Sequence, residues 1–120
     1  MPTYRPTEDV VISGAGLWTP EHVLTNEELV DVLNRYAEEY NQQHQAQIDA
    51  GELAPVATSS ADFIEKASGI RQRYVVEKDG ILETDRMRPR LAERGDDELS
   101  HQAEMAMHAA CKALAAAKRD

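Results

Sequence analysis

Cysteine is nearly absent from this chain. The one present, Cys111, excludes an internal disulfide framework and a cysteine-built zinc site, and it fits a reducing compartment. Aromatic residues make up 5% of the sequence, with a single tryptophan, Trp18, and a single phenylalanine, Phe63. Basic residues are in deficit, 13 lysines and arginines against 22 aspartates and glutamates. With a net charge of -9, a general nucleic-acid or anionic-membrane binder would work against its own field. No apolar run approaches the roughly 18 residues a membrane span needs. Met1 to Glu8 holds one basic residue, Arg5, and no targeting stretch, so the cytoplasm is the expected address. What remains is a 120-residue, 42% hydrophobic, 29% charged polypeptide, the profile of a soluble globular chain of at most one domain.

Charge is segregated along it. Between Glu21 and Ala61 eight acids face only Arg35, a balance of 1 minus 8, or -7, which reads as solvated helix. From Asp62 to Arg94 come Lys66, Arg71, Arg73, Lys78, Arg86, Arg88, Arg90 and Arg94, eight of the 13 bases, against seven acids. A phosphate-bearing or acidic partner would find its handholds there, although a surface of mixed salt bridges is the stronger reading for any single one of these residues.

Val10-Val11-Ile12 is β-branched and runs into Ser13-Gly14-Ala15-Gly16, the pattern of a buried strand ending in a tight turn. Thr25 and Glu28 form a capping box, and Leu29, Leu33, Tyr36 and Tyr40 recur at helical spacing, so a helix is expected from Asn26 to Tyr40, with a continuation towards Ile48. Residues 41–60, rich in Gln and Ala and broken by Gly51 and Pro55, read as an inserted surface segment. Ser60 opens a second helix that Gly69 closes. Arg71 to Val76 is a candidate strand, and Asp79-Gly80 a candidate hairpin turn to Ile81-Leu82. Met87 to Arg94 is loop-like, and Asp96, Asp97 and Glu98 lie where a helix start favours acids. The last helix carries a stripe of Leu99, Ala103, Ala106, Ala110, Leu114 and Ala117, which needs a cover. One strand among helices leaves an α/β chain whose further parallel strands are expected after Asp120.

Four candidate chemistries can be weighed. Gly14-Ala15-Gly16 after a strand resembles a dinucleotide fingerprint, but Thr19-Pro20 stands where a third glycine and a helix start belong. His101, Glu104 and His108 share a helical face at metal-holding spacing, yet that face lies opposite the apolar stripe and reads as a solvated polar surface. Cys111 has His108 three residues away, but a cysteine in mid-helix is a packing residue rather than an activated thiolate. Met105 and Met107 read as core or rim fillers. No catalytic residue and no metal ligand is therefore assigned.

The run Gly14-Ala15-Gly16-Leu17-Trp18-Thr19-Pro20-Glu21-His22-Val23-Leu24-Thr25-Asn26-Glu27-Glu28-Leu29 resembles the opening of β-ketoacyl-acyl-carrier-protein synthase III, a ketosynthase family of the thiolase superfamily. A second stretch, Ser60-Ala61-Asp62-Phe63-Ile64-Glu65-Lys66-Ala67-Ser68-Gly69-Ile70-Arg71-Gln72-Arg73, is similar to another landmark of that family. The extra length at 41–60 and at 79–94 resembles a long-form branch.

This resemblance implies an α/β fold, the N-terminal portion of a thiolase-like body whose complete form stacks five layers, αβαβα, and it makes residues 1–120 a single incomplete portion of that domain. It implies an acyltransferase of fatty-acid or polyketide-type biosynthesis. An acyl group passes to a cysteine, then a malonyl group on acyl-carrier protein condenses with it and loses carbon dioxide. The family's Cys, His and Asn match no residue here; Cys111 is not at that position. The partners implied are acyl-carrier protein, acyl-coenzyme A, the remainder of the enzyme and a second subunit in a homodimer. No covalent cofactor is implied, and the coenzyme A or phosphopantetheine thioester is the substrate. By the same resemblance Phe63 takes the place of a tryptophan that stacks on the adenine of coenzyme A, Ala67 that of an arginine beside it, and Ser59 and Ser68 those of nearby threonines. The competing expectation is a free-standing helical interaction module, in which Leu29, Leu33, Tyr36 and Tyr40 meet the Leu99 to Ala117 stripe.

Overall fold

The computed structural model describes residues 10–118; residues 1–9, on which the expectation about targeting falls, and 119–120 lie outside it. The described residues fall into two compact units, 20–93 and the pair of segments 10–19 with 94–118.

In the 20–93 unit a short strand β1 (His22–Thr25) leads directly into helix α1 (Asn26–Gln43), followed by α2 (Gln45–Asp49), α3 (Ala61–Ser68) and strand β2 (Gln72–Val75). β1 and β2 pair antiparallel in the register His22 with Val75, Leu24 with Arg73 and Thr25 with Gln72. Thr25 ends the strand and caps the helix. Its Oγ1 accepts from the Glu28 N–H at 3.3 Å, and the Glu28 carboxylate accepts from the Thr25 N–H at 3.0 Å, the capping box expected from the sequence. The other Glu28 oxygen meets Lys78 Nζ at 2.5 Å, so a local cap is also a long-range tie. Leu24, Val32 and Ala37 are the fully buried apolar residues of the described chain, a small core under α1. α1 stops at His44, whose N–H and ring Nδ1 both reach the Tyr40 carbonyl, so the expected continuation towards Ile48 is the separate helix α2.

Segment 50–60 has no regular structure of its own. It is strapped along α1 by two side-chain amides. Asn41 Nδ2 donates to the Val56 carbonyl at 2.9 Å while its Oδ1 accepts from the Val56 N–H at 2.8 Å. Asn34 holds Ser59 in the same two-point manner, at 3.0 and 2.9 Å. The spacing follows from backbone geometry: seven helical residues rise about 10.5 Å and three extended residues span about 10 Å, so both amides engage in one register. A third asparagine, the buried Asn26, donates to the Ile70 carbonyl at 2.7 Å and accepts from Arg73 Nη2 at 3.0 Å, joining the start of α1 to β2.

One expectation is corrected here, and one strand is added. Asp79-Gly80 does not make a hairpin: Ile81 and Leu82 donate back to the Lys78 carbonyl in a tight helical turn. The Glu77 carboxylate organises that turn by accepting from the Gly80 N–H at 3.0 Å and the Arg90 N–H at 2.6 Å. β1 is a strand that no pattern in the sequence announces.

In the other unit α4 (His101–Ala116) starts at Ser100, whose hydroxyl accepts from the Ala103 N–H at 3.2 Å, so Asp96 to Glu98 belong to a preceding turn rather than to the first helical turn. Segment 10–19 is not a paired strand among the described residues. Val10, Val11 and Ile12 are 75–99% exposed. The expected buried strand is not seen among the described residues, where segment 10–19 joins no sheet. Gly14, Gly16 and Trp18 alternate with exposed Ala15 and Leu17 and lie on α4. A Cβ on Gly14 would sit 2.5 Å from the Ala113 carbonyl oxygen, and one on Gly16 would collide with the Ala109 oxygen and Ala113 nitrogen. These glycines let one backbone lie against another and cradle no phosphate, which removes the dinucleotide reading. The covered face of α4 is thus His101, Met105, Ala109, Ala113 and Ala117. The expected stripe is largely open, with Leu99 51% and Leu114 44% exposed, and only its last member, Ala117, belongs to the covered face.

Three outcomes are expected. Asn34→Asp keeps the acceptor for the Ser59 N–H but sets a carboxylate against the Ser59 carbonyl; a loss of about 1–3 kcal/mol in urea denaturation is expected, with Asn41→Asp behaving alike. Gly16→Val should lift segment 10–19 from α4 and move the emission of Trp18 to the red, whereas Ala15→Val at the neighbouring exposed position leaves the spectrum unchanged. Glu28, Glu77 and Glu104 are held below the usual carboxylate range, chiefly by Lys78, by the Arg90 N–H and by Arg94 respectively. Their contribution is complete above the unfolded value of about 4.3 and fades as pH falls through the lower folded values. Melting temperature should therefore drop between pH 5 and 3, less steeply in Glu77→Gln.

Candidate functional site

The strap along α1 delivers residues 57–60 to the start of α3, where Ala57, Thr58, Ser59, Ser60 and Phe63 line an open depression. Ser60 caps α3 by accepting from the Phe63 N–H at 3.1 Å. Gly69 ends the helix in the left-handed conformation, φ 72°, as its place in the sequence predicts. Phe63 is the exposed wall of the depression, at 66% exposure. Ala67 is one turn further along the same helix face and is also exposed. Lys66 lies beside it, loosely paired with Asp62 at 3.8 Å.

The structure therefore brings Ser59 and Phe63 together, with Ala67 in line. Ser68 stands apart. Its hydroxyl donates to the Ile64 carbonyl at 2.6 Å and accepts from the Ile70 N–H at 3.1 Å, so it is spent on finishing α3 and turning the chain. The residues that sequence reasoning did not find are Asn34 and Asn41, which place the depression without lining it. Their seven-residue spacing is visible in the sequence, but their partners are backbone groups, which no side-chain pattern marks.

The basic cluster is largely committed. Lys66 pairs with Asp62, Arg71 with Glu65 at 2.7 Å, Lys78 with Glu28, and Arg90 with Glu83. Arg86 donates to the carbonyls of Arg88 and Pro89. In the other unit Arg94 pairs with Glu104 at 2.6 Å. Mixed salt bridging is thus the main use of these charges, with Arg73, Arg86 and Arg88 outside any ion pair among the described residues.

The polar face of α4 is not simply solvated. Glu104 is held by Arg94, His108 stacks on Trp18 with ring centroids 5.6 Å apart, and His101 Nε2 is shut off from solvent without a partner. No group of three or more potential metal ligands forms among the described residues. Cys111 is exposed on α4. No helix among the described residues is long and apolar enough to cross a membrane.

No family model matches the chain. Over 90 residues, 75% of the chain, it is 49% identical to beta-ketodecanoyl-acyl-carrier-protein synthase of Pseudomonas aeruginosa. The chain spans about a quarter of that relative's length, 26%. The resemblance to the β-ketoacyl-acyl-carrier-protein synthase III type of enzyme is thereby shown over three quarters of this sequence.

Proposed function

We propose that this chain is the N-terminal portion of a condensing enzyme of the β-ketoacyl-acyl-carrier-protein synthase III type, and that its α3 region meets the thioester substrate. The 49% identity to a synthase of that kind carries the reading. In the complete protein, a thiolase-like five-layer body and a homodimer would cover Val10 to Ile12 and the Leu99 to Leu114 stripe, which are open here. The transferase chemistry is two steps. The acyl group moves from its carrier thioester to an enzyme cysteine, releasing the carrier thiol. Malonyl-acyl-carrier protein then loses carbon dioxide, and the resulting carbanion attacks the acyl-enzyme carbonyl, returning the cysteine as a thiolate. Cys111, exposed in mid-helix, takes no part.

The role of the present residues is recognition. Phe63 offers a ring face to the adenine of a coenzyme A thioester, with Ser59 at the edge of the same depression. Ala67 offers nothing to the other face of that adenine. With no guanidinium there, a cation–π contact of about 0.5–2 kcal/mol is forgone, and the enzyme is expected to rely more on a carrier-bound donor. Ser68, tied to its own helix, contributes to the turn rather than to the ligand.

In the complete enzyme, Phe63→Ala should raise KM for acyl-coenzyme A several-fold while leaving kcat with an acyl-carrier-protein donor unchanged. The double variant Phe63→Trp, Ala67→Arg should lower KM for acyl-coenzyme A by about two- to thirtyfold. Steady-state kinetics with both donors check this, and an unchanged KM in the double variant defeats the assignment of the depression.

A further inference from the structure

Tyr36 and Tyr40 on α1 and His44 at its C-terminal cap stand one turn apart and form an aromatic ladder, with centroids 6.0 Å apart for the tyrosine pair and 4.2 Å for the stacked Tyr40 and His44. None of this is used by the α3 depression. Loop 76–93 comes back against the same helix, its Leu82 carbonyl accepting from Arg35 Nη2 at 3.4 Å, and brings Thr84 and Asp85 to the ladder. Tyr36, Glu39, Tyr40, Gln43, Thr84 and Asp85 together enclose a pocket of about 220 Å³.

Two features of this pocket point to one ligand chemistry. The first is its aromatic wall: both tyrosines reach it, and Tyr36 remains 36% exposed. The second is unspent negative charge. Some carboxylates of this unit have found cations, Glu28 with Lys78, Asp31 with Arg35 and Glu83 with Arg90, while others on its surface, such as Glu38 and Asp49, are in no ion pair among the described residues. Glu39 and Asp85 have none among the described residues, although the loop that carries Asp85 also carries three arginines. Arg90 feels the field of Asp85 but gives its hydrogen bond to Glu83, and Arg86 is turned to the Arg88 and Pro89 carbonyls. Arg35, the cation nearest in sequence, is held by Asp31 at 3.1 Å.

A ring face flanked by unpaired carboxylates attracts a cation whose charge is spread or sheathed, because such an ion gives up its hydration cheaply and gains both the ring quadrupole and the carboxylate field. We propose that this pocket is a binding site for an organic cation, a guanidinium or a quaternary ammonium group, separate from the thioester region on α3. The acidic stretch around it, -7 over residues 21–61, steers such a ligand towards the pocket and turns anionic ones away.

The test is an amide NMR titration of the full chain with choline, with N-acetylarginine amide and with 3,3-dimethylbutan-1-ol, the uncharged isostere of choline. Saturable shifts centred on Tyr36, Tyr40, Thr84 and Asp85 are expected with one or both cations and none with the alcohol. Tighter binding of choline identifies a free small cation as the ligand class, and tighter binding of the arginine amide identifies a polypeptide side chain. Tyr40→Leu should weaken binding by about three- to tenfold. Glu39→Gln, an exposed change that leaves the helix intact, should weaken it as well and lessen its salt dependence. Equal binding of the alcohol, shifts that rise linearly over the whole acidic surface, or an affinity unaltered by Glu39→Gln would each overturn the proposal. None of these readings depends on condensing activity, so failure of the thioester assignment leaves the outcome interpretable.

Discussion

The arrangement of the larger unit depends on side-chain amides of one helix pairing with the backbone of a segment that has no secondary structure to satisfy it. A peptide group buried against a helix without a partner costs about as much as a hydrogen bond to charge, and an extended segment beside α1 has no sheet to join. Asn34 and Asn41 supply the missing donor and acceptor at once, as a neighbouring strand would. Asn26 does the same for the turn entering β2. The depression containing Ser59 and Phe63 exists because its near wall is pinned this way before α3 begins. The apolar core alone, Leu24, Val32 and Ala37, is too small to position it.

Local chemistry was legible and long-range pairing was not. Thr25 with Glu28, Ser60 with Phe63 and Gly69 after Ser68 are stop and start signals that act over three or four residues, and each appears in the structure as read. β1 escaped notice because His22–Thr25 is four residues long, shares its last residue with a helix cap, and finds its partner some fifty positions away. The Asp79-Gly80 hairpin was misread for the converse reason. A local turn signal is present, but the Glu77 carboxylate, accepting from the Gly80 and Arg90 N–H groups, holds the chain in a tighter path.

The site shows the same division. Phe63 and Ser59 were found through resemblance and converge in space, whereas Ser68 was named with them and is engaged elsewhere, since its hydroxyl faces back along its own helix. In the segment on α4, Gly14 and Gly16 resemble a phosphate cradle in sequence, and their use in the structure lies in what they lack. Without side chains, an extended backbone rests on the Ala109, Ala113 and Ala117 face, and Trp18 closes the end by stacking on His108. That face, rather than the Leu99 to Leu114 stripe, is the covered one, a quarter-turn difference that small residues on both sides concealed from periodicity arguments.

The two-point amide strap also divides its surroundings by tolerance to evolutionary change in chain length. Adding or removing a residue between Val56 and Ser59 would put one of the two asparagines out of step, since seven helical positions are matched to three extended ones. Between Gly51 and Pro55 no such gearing exists, and insertions there would simply enlarge a surface bulge while Ser59, Ser60 and Phe63 stay in place. Length variation among proteins sharing this architecture should therefore accumulate just ahead of the strap and stop abruptly at its first clasp.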